Sequence, residues 1–415
     1  GSNNPFASLS GGKTPAQIYK NGIPAELSDL RQYDVGTYDK SSDTLFVSDL
    51  KLSGLYENAY PNAAAPSTVT VMGAEPTVLP SAQADLAAFK VGDKVTLLLT
   101  TTGQVAGAVS PDVAKSNAVG VATVDGTKAT IELLDGILTL EGQTTYSGAA
   151  AAKLNGCLVT VSSYKRDYLT LSKVNGKGAS TALNLTTNRM GTKELSAGAR
   201  FFEQVGNGRL VEIDRSDITI TSIPANKITY VGYDWAGRVD KLVLNDVTGD
   251  RYDYGIIHYQ PAGYQETPGN PDGNGEYKNG EISVTNGSFP KGMPPYVVGS
   301  VDGAKTNRMG GVAGSLDQLD GKNRMAAFMP LNEATGIRRA QFDTDAMLLT
   351  TNSMVIPISD KVECYNKTTG DWFKPGEDGD HKAALNLALA FSDDITVYYD
   401  RSPEEGGKVR IVVVE

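Results

Sequence analysis

One hairpin phrase is written three times in this chain, and it constrains the fold more than any other feature. It stands at residues 89–110 (FKVGDKVTLLLTTTGQVAGAVS), at 223–246 (IPANKITYVGYDWAGRVDKLVLND) and at the last residues, 391–415 (FSDDITVYYDRSPEEGGKVRIVVVE). Val95, Ile228 and Ile395 align, each followed by a threonine (Thr96, Thr229, Thr396) and then by Leu97, Tyr230 and Val397. Apolar residues at every second position mark one inward strand face. The turns differ in length but leave on a shared step: Gly103-Gln104-Val105, Gly237-Arg238-Val239 and Gly407-Lys408-Val409. A glycine at that exit can take positive φ and return the chain to the pleat through a bulge.

An isolated hairpin is marginal in water, so each copy needs a sheet or barrel to lie on. Strand-like runs fill the rest of the sequence, among them DTLFVSDLKL, KATIELLDGILTLEG, CLVTVSSYKRDYLTLSKV and AMLLTTNSMVIPIS, bounded by Gly, Asn, Asp or Pro. With 45 Gly and 19 Tyr in 415 residues, the composition favours short strands and many turns. Helical signals are few. SAQADLAAFK and DHKAALNLALAF each suit a short helix, and each stands just before a hairpin copy. The expected fold class is all-β: tandem small β-barrel or β-sandwich modules with a few short helices. Residues 1–27 read as a tag remnant and linker, 28–112 as a first β module, 113–248 as a second, and 249–415 as a third with long loop insertions. GSNNPFASLSGGKTP implies that the natural protein begins further upstream. The unequal module lengths argue against a solenoid.

The formal net charge is −10 with no Lys/Arg block, which speaks against a nucleic-acid surface. Two cysteines, Cys157 and Cys364, are too few for a cysteine metal cluster. They suit small buried hydrophobes better than a long-range disulfide. No apolar run reaches the roughly 20 residues of a membrane helix.

Chemistry-bearing motifs are sparse. His258 and His381 are the only histidines, and no GxSxG elbow accompanies them. Asp and Glu number 48, so a hydrolase pair could always be drawn, which makes their presence uninformative. Catalytic residues are therefore expected to be none, and cofactors none, calcium excepted. The loop GNPDGNGEYKNGE offers Asn270, Asp272, Asn274 and Glu276 at alternating positions among glycines, a weak oxygen-ligand set for Ca²⁺. Glu377, Asp378 and Asp380 form a second such group. Tyr233, Trp235, Tyr254, Tyr259 and Tyr264 cluster in sequence and are the candidates for stacking on sugar rings, although tyrosine is also a common strand residue. The triplet Asn-Arg-Met recurs at 188–190, 307–309 and 323–325, and the sequence gives no reason for it.

Several phrases, LRQYDVGTYDKSSDTLFVSD, FKVGDKVTLLLTTTGQVAGAVS, KITYVGYDWAGRVDKLVLNDVTGDRYDYG and ITVYYDRSPEEGGKVRIVVVE, resemble the β-rich region that follows the S-layer homology repeats in secreted cell-surface proteins of Gram-positive gut Clostridia. The likeness covers most of residues 28–415. The helical repeats that bind cell-wall polysaccharide in that family are absent from these residues, so that route of anchoring does not carry over. The resemblance implies an extracellular, wall-associated setting. The expectation is a non-catalytic structural or interaction segment of an S-layer-like surface protein, partnered by neighbouring copies or by cell-wall polymers. A glycan-binding, adhesin-like module is the alternative, and a wall or polysaccharide hydrolase the second.

Overall fold

The computed structural model describes residues 4–146, 148–174, 176, 179–234, 236–266 and 274–415. The fold is all-β, built of several sheets and two closed barrels with a few short helices. The chain divides into two compact units, one of Gly1–Phe201 and Pro224–Val243, the other of Phe202–Ile223 and Leu244–Glu415.

The first unit opens with a four-stranded sheet in the order Ile23–Pro24, Gln17–Lys20, Thr44–Ser48, Val35–Asp39. Its core is small: Ile18, Leu30, Leu45 and Val47. A second sheet runs Thr68–Val71, Lys51–Tyr60, Lys94–Leu99, Val105–Val109, the last two strands being the first hairpin copy. A barrel follows, made of Ala118–Asp125, Lys128–Leu133, Thr139–Thr144, Leu158–Ser162 and Tyr168–Lys173. Numbered in chain order, its strands close as one, two, three, five, four and back to one. The third and fifth are parallel, with Gln143 opposite Tyr168. In the second strand Ala129, Ile131 and Leu133 point inward between exposed or half-exposed neighbours, the alternation a closed sheet requires.

The first hairpin does not close a core of its own. Leu97, Leu99 and Val105 pack into one apolar cluster with Ile131, Leu140, Val159 and Leu169 of the barrel, so the core continues past residue 112. The helix Pro80–Leu86 adds Ala82 and Leu86 to the same cluster. Its Pro80 sits in the first turn, where the missing N–H leaves nothing unsatisfied.

The second unit repeats the barrel. Asp253–Gln260, Gly280–Thr285, Tyr296–Val298, Met309–Leu319 and Lys322–Pro330 close in the same order, again with the third and fifth strands parallel at Val297 and Arg324. A small hairpin, Gly263–Glu266 with Gly275–Lys278, is inserted between its first two strands. The C-terminal sheet runs Asn332–Ile337, Ile395–Tyr399, Val409–Val414, Val355–Asn366, Leu348–Thr350, Phe342–Asp343. Helix His381–Phe391, capped by the Asp380 side chain accepting from the Ala383 N–H, lays Leu385, Ala388 and Leu389 into that sheet's core.

The repeat is structural as well as verbal. Val78 bridges Val105 in parallel, and Ile358 pairs with Val409 in parallel, so the exit valine has the same kind of neighbour in the first and third copies. Both hairpins shift register at the same step: Leu98 faces Gly107 and Leu99 faces Val105, while Tyr398 faces Ile411 and Tyr399 faces Val409. Ala106 and Arg410 are thereby the extra, bulged residues. The turn chemistry recurs too. Thr100 Oγ1 accepts the Gln104 N–H, Asp234 Oδ1 the Arg238 N–H and Asp400 Oδ1 the Lys408 N–H.

The exit glycine behaves as expected in two copies and differently in the third. Gly103 and Gly237 have φ of +82° and +79°. In the last copy the left-handed residue is Gly406, at +85°, which ends the short 3₁₀ turn Pro403–Glu405. Gly407 is a glycine for another reason: a Cβ there would stand 1.7 Å from the Arg401 carbonyl oxygen. The extra turn residues let a 3₁₀ turn form, and the turn moves the positive φ back by one position. Two of the Asn-Arg-Met triplets also gain a reason. Asn188 and Asn307 hold left-handed φ (54° and 63°), which asparagine tolerates, one residue before strand Arg189–Met190 and two before strand Met309–Leu319. Asn323 lies inside strand Lys322–Pro330 and has no such role.

Candidate functional site

A cavity of about 460 Å³ in the second unit gathers ionisable side chains around the last hairpin. Arg410 is only 2% exposed although it is the bulged residue of that hairpin. Its Nη1 donates to Asp250 Oδ1 (2.7 Å) and Ser359 Oγ (3.3 Å), its Nη2 to Asp400 Oδ2 (3.0 Å) and the Thr248 carbonyl (2.7 Å). The guanidinium also lies over the Tyr254 ring, 4.9 Å from its centroid. Lys408 Nζ donates to both Asp250 oxygens and to the Asp217 carbonyl, all at 3.0 Å. Burial alone would raise the Asp250 carboxyl, but Arg410 and Lys408 outweigh it and hold it below the usual range. Buried Glu203 fixes the same segment, accepting the Val247 and Thr248 N–H groups at 2.8 and 2.7 Å.

The same cavity is lined by Glu363 and His381, Glu363 lying on the strand beside that of Arg410 and paired with Ile411. Glu363 Oε2 accepts the Gly287 N–H (2.9 Å) and Oε1 accepts from Ser288 Oγ (3.1 Å). Burial nevertheless pushes its carboxyl up to about 7. His381 Nδ1 lies 3.0 Å from the Val362 carbonyl and 3.8 Å from Glu363 Oε1. Burial lowers that imidazole, so near neutral pH its Nδ1–H donates to Val362. Asp253, also on the cavity wall, is raised by burial. Chemically this wall can hold and exchange a proton. Both oxygens of Glu363 are already engaged by the loop at residues 287–288.

The second hairpin lines a smaller cavity in the first unit, about 140 Å³, with Asp49, Lys51, Lys115, Asp135, Tyr230, Asp234, Asp240 and Lys241 at its wall. Asp240 occupies the position that Arg410 holds in the last copy. Burial raises the Asp240 carboxyl. Burial also works against the Lys241 ammonium, 3.2 Å from Asp240, but Asp240 and Asp49 outweigh it and hold the proton on. Desolvation lowers Lys51 and pushes the Tyr230 hydroxyl up to about 12. Arg238 pairs with Asp234 at 2.9 Å inside the turn.

The residues singled out for sugar stacking do not form one patch. Tyr254 is buried under Arg410 and cannot reach a ligand ring; alternation sets it on the strand face away from Ile257 and Tyr259, outside the barrel core, where it packs with Ile411 and Val413. Tyr259 donates no face either, its ring packing against the barrel core while its hydroxyl accepts the Val301 N–H. Tyr233 is 53% exposed with Lys193 Nζ 5.8 Å from its ring centroid, and Tyr264 is 56% exposed on the inserted hairpin. Trp235 lies outside the described residues, as do Asn270 and Asp272 of the calcium set. Asn274 and Glu276 are exposed, Glu276 being on strand Gly275–Lys278 opposite Gln265. Among the described residues no group of three or more His, Cys, Asp or Glu is placed to hold a metal ion. His258 is exposed, with Nε2 3.2 Å from Thr285 Oγ1. Both cysteines are free, and Cys364 is buried in the C-terminal core. Among the described residues no helix is long and apolar enough to cross a membrane.

Sequence reasoning missed Glu363 and Arg410. The available signal was a charged residue at an otherwise apolar strand position, in KVECYNK and in VRIVVV.

The chain matches no protein-family model, no curated protein and no solved structure.

Proposed function

We propose that this chain is a non-catalytic structural and interaction segment of an S-layer-like surface protein, working outside the cell and bound to neighbouring copies or wall polymers. The observation that carries this reading is the use to which the charges of the cavity around the last hairpin are put. Apart from the Arg410 Nε–H, Arg410, Lys408, Asp250 and Asp400 direct their hydrogen bonds to one another, to Ser359 and to nearby backbone, and both Glu363 oxygens are taken by residues 287 and 288. A site built for turnover keeps donors and acceptors aimed at an incoming group. The phrase-level resemblance to secreted surface proteins supplies the setting, and the repeated barrels and sheets supply bulk and surface.

The test is lateral assembly. Sedimentation velocity across a concentration series, with negative-stain imaging of the same samples, should give concentration-dependent oligomers or ordered sheets, or else pelleting with purified Gram-positive wall material. A chain that stays monomeric at the highest concentration and ignores wall material would count against the proposal.

Glycan recognition is the second reading, and one observation favours it. Tyr264 and Tyr277 stand directly opposite each other across the inserted hairpin, 56% and 67% exposed. Paired exposed rings on a two-stranded ribbon suit stacking on a sugar face.

A further inference from the structure

The N-terminal sheet buries a lysine and an aspartate against each other, and three neighbouring strands converge there. Lys20 Nζ lies 2.8 Å from Asp34 Oδ2, with side chains only 3% and 2% exposed. Lys20 ends the strand that pairs in parallel with Thr44–Ser48, where it faces Val47. Asp34 and Asp49 stand one position beyond the antiparallel pair Val35 and Ser48. Period two therefore sets Lys20, Asp49 and Asp34 on one face of three adjacent strands, with Asp49 on the middle one. That face is the apolar one, walled by Ile18, Leu30, Leu45 and Val47.

We propose that Lys20 and Asp34 become joined by an isopeptide bond between Nζ and Cγ, formed once the sheet has folded, with Asp49 relaying the proton. Three observations meet here. First, the nucleophile and the carboxyl are already in contact with side chains almost wholly buried, where an ion pair gains little over its neutral form. Burial raises Asp34, which favours the neutral acid that the reaction needs. Second, Asp49 has a vacancy for a proton: its Oδ1 accepts from Asn21 Nδ2 (2.8 Å), while its buried Oδ2 has no hydrogen-bond partner. Asn21 follows Lys20 in the chain, so Asp49 is tied to the reacting strand. Third, the Asp29 carbonyl accepts from Lys20 Nζ at 2.9 Å and the Arg31 N–H donates to Asp34 Oδ2 at 2.8 Å, so both reacting groups are held in place.

The step balances without any co-reactant. The Lys20 ammonium passes a proton to the Asp34 carboxylate, leaving amine and acid. The Nζ lone pair attacks Cγ, and Asp49 takes a proton from the nitrogen. The proton returns to the departing hydroxyl as the C–O bond breaks. One C–N bond forms, one C–O bond breaks, one water leaves, and nothing is oxidised or reduced. The product would close the 20–34 loop of a sheet with a four-residue core and no cysteine, which is the kind of small scaffold that needs a covalent staple.

Intact mass spectrometry of the denatured, purified chain tests this. The expected mass is one water below the sequence mass, and a protease digest should yield a branched peptide joining the Lys20 and Asp34 segments. Lys20→Arg should restore the full mass while keeping the charge pair. Asp34→Asn should lose ammonia in place of water, and Asp49→Ala should leave most of the chain unlinked. A folded wild-type chain at the full sequence mass would overturn the proposal. So would a water loss that maps to an aspartyl–glycine step and not to these two residues.

Discussion

Arg410 reaches back across its own hairpin turn to Asp400, Nη2 to Oδ2 at 3.0 Å, and the two side chains are 2% and 0% exposed. The bulge at Arg410 makes this possible by taking the residue out of the regular alternation of strand Val409–Val414, whose other members are apolar and packed. Asp400 also accepts the Lys408 N–H, so it holds the turn and neutralises the guanidinium together.

Removing one partner of such a pair strands the other. Asp400→Ala should cost about 3–5 kcal/mol, because a buried guanidinium then lacks half of its compensation. Urea unfolding of the purified chain measures it. The double variant Asp400→Leu with Arg410→Met should recover part of the loss; a single variant within about 0.5 kcal/mol of wild type would place the pair outside the folding ledger.

The two exit glycines should fail for different reasons. Gly237→Val meets only Lys193 Nζ, at 3.7 Å, so its cost is backbone strain at φ +79°, about 1–3 kcal/mol. Gly407→Ala instead drives a methyl into the Arg401 carbonyl and should unfold the last hairpin locally. Thermal melts should therefore rank Gly407→Ala below Gly237→Val, although the inserted group is smaller. The opposite ranking would refute the close approach of Gly407 to the Arg401 carbonyl.

Glu363 makes stability depend on pH in a definite direction. Its folded value is raised from 4.5 to about 7, so the folded state holds the proton more tightly than the unfolded one. The contribution is fully present below about pH 4.5 and is lost as pH rises through 7, to a total of roughly 3 kcal/mol. His381, lowered by burial, acts oppositely, its share being lost as pH falls through its folded value. Glu363→Gln should leave the melting temperature near wild type at pH 5 and raise it at pH 8. Parallel pH profiles for the two proteins would show that Glu363 does not titrate as described.

The inserted hairpin gives the glycan reading its own test. Tyr264→Ala with Tyr277→Ala should abolish any binding on a glycan array, while Tyr254→Phe, altering a buried ring, should leave it unchanged. Retained binding in the double variant would remove the pair from consideration.

The sequence carried the all-β class and the three hairpins because alternation and glycine exits are local signals. It also marked both hairpin-preceding helices, Pro80–Leu86 and His381–Phe391. It could not show that Leu97 and Ile131 share a core, since a barrel's closure depends on pairings between distant strands. Tyr254 was misplaced for a related reason. Alternation within DRYDYGIIHYQ sets Tyr254 on the face away from Ile257, and only Arg410, Ile411 and Val413 of the distant last hairpin bury that outer face. The charges of Arg410 and Glu363 stood out in apolar strands, but their burial was not legible because each sits at a register shift, where period two no longer reports the face.

The reading of these charges as fold-holding and not reactive is exposed most directly by wall polysaccharide itself. Purified chain and Glu363→Gln would be incubated with Gram-positive wall material, and released reducing ends and pelleted protein measured together. Wild type and variant should pellet alike and release no reducing ends above buffer. Release by wild type that is lost in a folded Glu363→Gln protein would make the cavity a hydrolase site and end the structural account.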